Sequence, residues 1–316
     1  MNEISRIKNG EFIRSVAKFR NWVTRDGEPG PSGNGGFKAE PGRYHLYVSY
    51  ACPWANRTLI FRSLKGLEDI ITVSVVHPLL ESDGWSFSGD YPGATGDSIN
   101  NLAYLREAYL MAAQDFNGAI TVPVLWDKRR HTIVNNESSE IIRMLNSAFD
   151  QYTDSKADYY PDYLRAEIDA INDVVYENIN NGVYRAGFAT TQSAYERAYD
   201  RLFEALDNLE QRLLTQRYLV GHQLTEADLR LFPTLVRFDA VYYSHFKTNK
   251  KRLIDYPNLW AYTREIFQMH GVAGTVNMDH IKFHYYNSHR SINPSGIVPK
   301  GPDIDFTMPH GRQSIT

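Results

Sequence analysis

The chain has one cysteine in 316 residues, so no disulfide can close within it and no pair of its own thiols can cycle between oxidised and reduced forms. Any redox chemistry must borrow its second sulfur from another molecule, and a small cytosolic thiol is the natural donor. An excess of one charge is also missing. With 34 basic and 37 acidic residues the net charge is −3, which offers no electrostatic case for nucleic acid or an anionic membrane. No apolar run approaches the ~18 residues that a membrane-crossing helix needs. The polar opening Met1-Asn2-Glu3-Ile4-Ser5-Arg6 does not read as a secretory signal, and with the single cysteine it points to a reducing compartment, most simply the cytoplasm. What is present, 42% hydrophobic and 22% charged residues, suits a soluble enzyme with room for two modest domains. Tyrosine is plentiful at 21 residues, enough to line an aromatic ligand pocket as well as to fill core and surface.

The cysteine sits in Tyr50-Ala51-Cys52-Pro53-Trp54-Ala55. Upstream, residues 44–50 are aromatic and β-branched, as a short buried strand is. Downstream, Pro53 suits the first position of a helix, and Leu59, Ile60, Ser63, Leu64 and Leu67 recur at helical spacing. Cys52 is therefore expected at a helix N-terminus, where unpaired amides and the macrodipole favour thiolate over thiol. The bland alternative is an inert, buried small hydrophobe. A Cys-Pro pair at a strand-to-helix junction favours the nucleophile.

The Gly- and Pro-rich residues 1–43 read as an N-terminal arm. Residues 44–148 follow as strand, helix, strand (70–76), then an amphipathic helix with Leu102, Leu105, Tyr109 and Ala112 on one face. Strands 122–126 and 130–134 come next, then a helix from Glu137. That β-α-β-α-β-β-α order is that of a thioredoxin-like α/β domain. Pro123, at the start of a strand, needs a reason, and a cis Val122-Pro123 bond that turns the backbone toward the cysteine supplies one. A linker spans 149–160, an all-helical C-terminal domain 161–286, and a Pro- and Gly-rich tail 287–316. In the helical part Tyr195, Leu202, Leu206, Leu209 and Leu213 form a stripe, and Thr225-Glu226-Ala227-Asp228 has the form of a capping box.

Two further groups carry chemistry. Asn136-Glu137-Ser138 opens a helix, where a serine hydroxyl and free amides suit a carboxylate and Glu137 suits a cationic amino group. Together they fit a zwitterionic head group such as the γ-glutamyl end of glutathione; the plainer reading is N-capping by Asn136 and Ser138. His280 and His284, with His289 nearby, can share a helix face. A zinc site needs a third ligand of suitable type and the sole cysteine is committed elsewhere, so a hydrogen-bonded histidine face is expected and no metal site.

Residues 44–77 around Cys52-Pro53-Trp54-Ala55, with Thr121-Val122-Pro123-Val124-Leu125-Trp126-Asp127 and the run from Ile133 to Arg143, resemble the glutathionyl-hydroquinone reductases, the Xi-class, omega-like glutathione transferases. The likeness continues through Asn180-Asn181-Gly182-Val183-Tyr184, Leu224-Thr225-Glu226-Ala227-Asp228, Arg237-Phe238-Asp239 and Ile292-Asn293-Pro294-Ser295-Gly296-Ile297, nearly the whole chain. The resemblance implies a glutathione transferase fold, most simply as a homodimer, with glutathione as co-substrate. It also implies Cys52 as nucleophile, Trp85, Val122, Pro123, Glu137 and Ser138 as glutathione contacts, and Tyr184 and Tyr285 at the hydroquinone. Two positions depart from it: Ala119 stands where the family commonly has arginine, and Asn56 where it often has histidine.

The implied reaction runs through the lone thiol. Cys52 attacks the sulfur of a glutathionyl-hydroquinone, giving a mixed disulfide and a hydroquinone, and a second glutathione releases glutathione disulfide. The competing readings are an omega-like thiol transferase or dehydroascorbate reductase, and a non-catalytic glutathione-transferase-like binding protein.

Overall fold

The structure, a computed structural model, describes residues 7–315. The opening hexapeptide, read above as not a secretory signal, lies outside the described residues. In chain order there is a short hairpin, β1 (Ile7–Lys8) with β2 (Glu11–Phe12), then β3 (Tyr44–Val48), α1 (Pro53–Leu64) and β4 (Thr72–Val75). A second hairpin, β5 (Leu80–Glu81) with β6 (Gly84–Trp85), precedes α2 (Leu105–Ala112), β7 (Val124–Asp127), β8 (Thr132–Asn135) and α3 (Ser138–Ser147). Helices follow: α4 (Arg165–Val175), α5 (Gly182–Gly187), α6 (Gln192–Arg212), α7 (Glu226–Arg237), α8 (Tyr243–His245), α9 (Pro257–Phe267) and α10 (Met278–Ser288). No helix among the described residues is long and apolar enough to cross a membrane.

The chain divides into two compact units. One comprises Val16–Asp158 with Gly274–Ser288; the other comprises the segment up to Ser15, Tyr159–Ala273 and the segment from His289 onward. The first unit has a four-stranded sheet in the order β4-β3-β7-β8, with β3 parallel to β4 and antiparallel to β7, and β7 antiparallel to β8. This is the expected thioredoxin-like arrangement. Every residue of β3 is buried, as its aromatic and β-branched make-up requires of a central strand.

Element ends differ from the sequence pattern for local reasons. Helix α2 begins at Leu105 and leaves out Leu102, because Glu107 Oε1 reaches back to the Tyr104 amide (2.8 Å) while the Leu102 amide donates to Asp97 Oδ2 (3.1 Å). Strand β7 begins at Val124, since Pro123 has no amide to give a ladder. Strand β8 begins at Thr132, because Asp127 Oδ1 gathers the amides of Arg129 and Arg130 into the turn.

The second unit is helical. The stripe on α6 is buried at Leu202, Leu206 and Leu209, and continues at Leu213 just past the helix end, while Tyr195 is half-buried. The capping box at α7 is present: Asp228 Oδ2 accepts from the Thr225 amide (2.8 Å). Asp228 Oδ1 also accepts from the Leu219 amide and the Tyr262 hydroxyl, each at 2.8 Å. Single π turns at Tyr176–Asn180 and Phe238–Tyr242 join α4 towards α5 and α7 to α8; such turns often accompany functional positions.

Candidate active site

Cys52 is the residue that caps α1. Its backbone is extended (φ −76°, ψ 121°), Pro53 occupies the first turn, and its carbonyl accepts from the Asn56 amide at 3.0 Å. The Cys52 side chain itself makes no capping hydrogen bond, so the macrodipole acts at the half-buried sulfur and favours negative charge there. The thiol points at the Val122 carbonyl oxygen, 3.5 Å away.

The Val122-Pro123 bond is cis, as the strand-start proline suggested. The β3–β7 ladder ends at Tyr47 opposite Val124, so the Val122 main chain lies past its last pair. Among the described residues the Val122 amide has no acceptor. A donor and an acceptor beside a thiol suit a ligand that presents peptide groups next to its sulfur.

Glu137, rather than Asn136 or Ser138, caps α3. Its Oε1 accepts from the Ser139 amide (3.1 Å) and Ser139 Oγ (3.0 Å), leaving Oε2 without a donor among the described residues. Asn136 spends its side chain elsewhere: Nδ2 donates to the Tyr109 hydroxyl (3.1 Å) and Oδ1 accepts from the Phe19 amide (3.1 Å). Ser138 is the first helical residue, buried, and its Oγ accepts from Arg57 Nη1 at 3.4 Å. Arg57 is itself buried, its guanidinium carbon 4.5 Å from the centre of the Trp54 ring. It ties α1 to the head of α3 and did not stand out in the sequence; an arginine five places after the cysteine, with Trp54, Ile60 and Phe61 three or four positions away, was the available signal.

Trp85 closes the β5–β6 hairpin and is buried, stacked on His284 of α10 (centroids 5.0 Å, planes 24° apart). Tyr285 follows on the same helix, 1% exposed, its ring edge-on to His284 at 5.2 Å. The segment Gly274–Ser288 also reaches the cysteine loop: His280 packs edge-on against Tyr50 (5.4 Å), and Asn56 Nδ2 donates to the Thr275 carbonyl (3.0 Å). Asn56, one of the two departures, is therefore committed to this segment. Ala119, the other, offers no side-chain donor in the loop before β7.

The histidines form hydrogen bonds. His280 Nε2 pairs with the Pro92 carbonyl (2.7 Å) and His284 Nδ1 with that of Pro78 (2.8 Å), while His289 Nδ1 meets His245 Nε2 at 3.2 Å. Burial pushes the pKa of His280 down, which keeps it neutral. Among the described residues no group of three or more His, Cys, Asp or Glu is placed to hold a metal.

Tyr184 lies in the helical unit, on α5. Its ring packs among Phe12, Phe188, Tyr242 and Phe246, with centroids 5.4–6.3 Å away. The Arg14 guanidinium carbon is 4.8 Å from the ring centroid, and Arg14 Nε donates to Asn181 Oδ1 at 2.7 Å.

Residues 51–148 match the family described as glutathione S-transferase, N-terminal domain, and 192–265 match glutathione S-transferase, C-terminal domain. The chain is 57% identical to glutathionyl-hydroquinone reductase YqjG of Escherichia coli K12, over 96% of this chain and 92% of that protein. It is 52% identical to glutathionyl-hydroquinone reductase PcpF of Sphingobium chlorophenolicum, over 93% and 90%. The glutathione-bound structure of YqjG superimposes with a TM-score of 0.93, over 94% of this chain and 96% of that one. The Xi transferase of Phanerochaete chrysosporium, 53% identical, does so with a TM-score of 0.90, over 95% of each. The chain belongs to the glutathione S-transferase family, in its Xi class of glutathionyl-hydroquinone reductases.

Proposed function

We infer that this enzyme reduces glutathionyl-hydroquinones to hydroquinones with glutathione as co-substrate. The observation that carries the reading is the setting of Cys52: the chain's one thiol, half-buried at the N-terminus of α1 and 3.5 Å from the carbonyl of Val122. The thiolate attacks the sulfur of the aryl thioether. A sulfur–sulfur bond forms, the carbon–sulfur bond breaks with its electron pair going to the ring carbon, and that carbon takes a proton. A second glutathione thiolate attacks the glutathione sulfur of the mixed disulfide, frees Cys52 and leaves as glutathione disulfide.

The residues present fit that co-substrate. Glu137 Oε2 and the first amides of α3 suit the γ-glutamyl amino and carboxylate groups, with Ser138 beside them. The Val122 main chain, turned by Pro123, suits the cysteinyl portion, and this reading gives Trp85 a further contact with the same ligand. Tyr184 and Tyr285 serve the aromatic half, orienting the ring hydroxyls and delivering the proton. The reading extends to a homodimer in the cytoplasm, where one free cysteine stays reduced.

Mass spectrometry after brief exposure to glutathionyl-menadione should find a single glutathione adduct, on Cys52. Turnover of glutathionyl-menadione should far exceed that of dehydroascorbate. An adduct-free enzyme, or one faster on dehydroascorbate, would remove the hydroquinone reading.

The glutathione contact at Glu137 has its own test. Glu137→Ala should weaken glutathione binding by roughly tenfold to a hundredfold, the loss of a charge-assisted bond worth ~1.5–3 kcal/mol. Calorimetric titration measures it. Unchanged affinity would leave Glu137 as a helix cap only.

A further inference from the structure

Tyr109 lies on α2, fully buried, and its hydroxyl fills every hydrogen-bonding position a phenol offers. It donates to the Thr121 carbonyl oxygen at 2.8 Å, and accepts from the Thr121 amide at 3.2 Å and from Asn136 Nδ2 at 3.1 Å. Thr121 immediately precedes Val122, and Asn136 immediately precedes Glu137. One oxygen therefore holds the neighbours of both residues assigned above to glutathione. Val122 stands at the thiol end, beside the Cys52 sulfur, and Glu137 at the γ-glutamyl end. Burial pushes the phenol's pKa up, so the hydroxyl stays protonated and keeps donating. Phe19 and Phe116 hold the ring itself, with centroids 5.7 and 4.9 Å away.

We propose that Tyr109 is a positioning residue for glutathione, setting the spacing between the Val122 main chain and the Glu137 carboxylate. The proposal rests on the reading of Val122 and Glu137 as glutathione contacts. A ligand that spans two fixed groups loses affinity when their separation is no longer held, because part of its binding then goes to ordering the protein. The aromatic packing around Tyr109 needs only the ring, whereas this role needs the oxygen.

Tyr109→Phe keeps the ring and removes the oxygen. Calorimetric titration of the folded variant with reduced glutathione should show affinity lowered by roughly tenfold. The rate of Cys52 alkylation by iodoacetamide should stay within about twofold of the parent, since the α1 end makes no bond to Tyr109. The penalty of Glu137→Ala should shrink in the Tyr109→Phe background, because the carboxylate is already out of register. Unchanged affinity in Tyr109→Phe, with Glu137→Ala still weakening binding, overturns the positioning role and leaves the glutathione site standing. Full additivity of the two substitutions also overturns it, as does weakened binding accompanied by much faster alkylation, which reports general loosening. If Glu137→Ala is itself silent, the site reading falls and the proposal with it. Should Tyr109→Phe fail to fold, Asn136→Ala carries the test: it cuts the link from Tyr109 towards Glu137, together with the bonds to the Phe19 amide and Thr121 Oγ1, and should lower affinity by about threefold. Unchanged affinity there overturns the proposal.

Discussion

Cys52→Ser should abolish reductase turnover, with a loss on the order of a thousandfold or more, and should leave the fold unchanged. Serine is nearly isosteric, and its hydroxyl can keep the thiol's donation to the Val122 carbonyl oxygen. Stability should therefore move by less than about 1 kcal/mol in a thermal melt. The chemistry does not survive the exchange. A hydroxyl stays protonated at neutral pH even at a helix N-terminus, and oxygen forms no stable mixed disulfide with glutathione. No other cysteine exists to take over. Steady-state assay with glutathionyl-menadione reads the loss, and mass spectrometry should find no glutathione adduct on the variant. A rate above a few per cent of the parent would take Cys52 out of the mechanism. Cys52→Ala separates binding from chemistry: it should still bind glutathione, because the head-group contacts proposed at Glu137 and Ser138 lie at the start of α3 and do not pass through the sulfur.

The cysteine was legible in the sequence because its setting is local. A buried strand, a proline suited to the first turn and a single thiol all lie within a dozen residues, and the structure joins them as read. The cap of α3 was legible in place but not in detail. Asn136 has the right chemistry for a cap, yet its amide group is drawn to Tyr109, 27 positions away, and to Phe19, 117 away. Glu137 takes the capping role left open. Tyr109 shows the same limit from the other side: helical periodicity marked it as part of an apolar stripe, and nothing in that pattern reveals where a hydroxyl finds partners. The four-residue spacing of His280 and His284 likewise places them on one helix face without saying what that helix packs on. That is decided by His284 on Trp85, His280 on the Pro92 carbonyl and Ser288 on the Leu80 amide, contacts formed across some 190–210 positions of chain.

Tyr184→Phe and Tyr285→Phe should each slow turnover of glutathionyl-hydroquinones by on the order of a hundredfold, the usual contribution of a positioned proton donor. The same variants should lose far less on a small mixed disulfide of glutathione. Exchange between sulfurs needs no ring to be oriented and no carbon to be protonated, so a phenol has nothing to do there. The substitution isolates the oxygen because phenylalanine preserves the packing. Tyr285 is 1% exposed and meets His284 edge-on, and Tyr184 is enclosed by Phe12, Phe188, Tyr242 and Phe246. Phenylalanine keeps these ring contacts. The competing explanation is that the two tyrosines only pack, as many of the chain's 21 must. In that case each variant loses activity on the two substrates in equal proportion, through whatever stability it has lost. Unequal losses, confined to the hydroquinone substrate, assign the hydroxyls to the aromatic half of the reaction. The variant with the larger fall in kcat at unchanged KM carries the proton, because an interaction made only in the transition state lowers kcat without weakening binding.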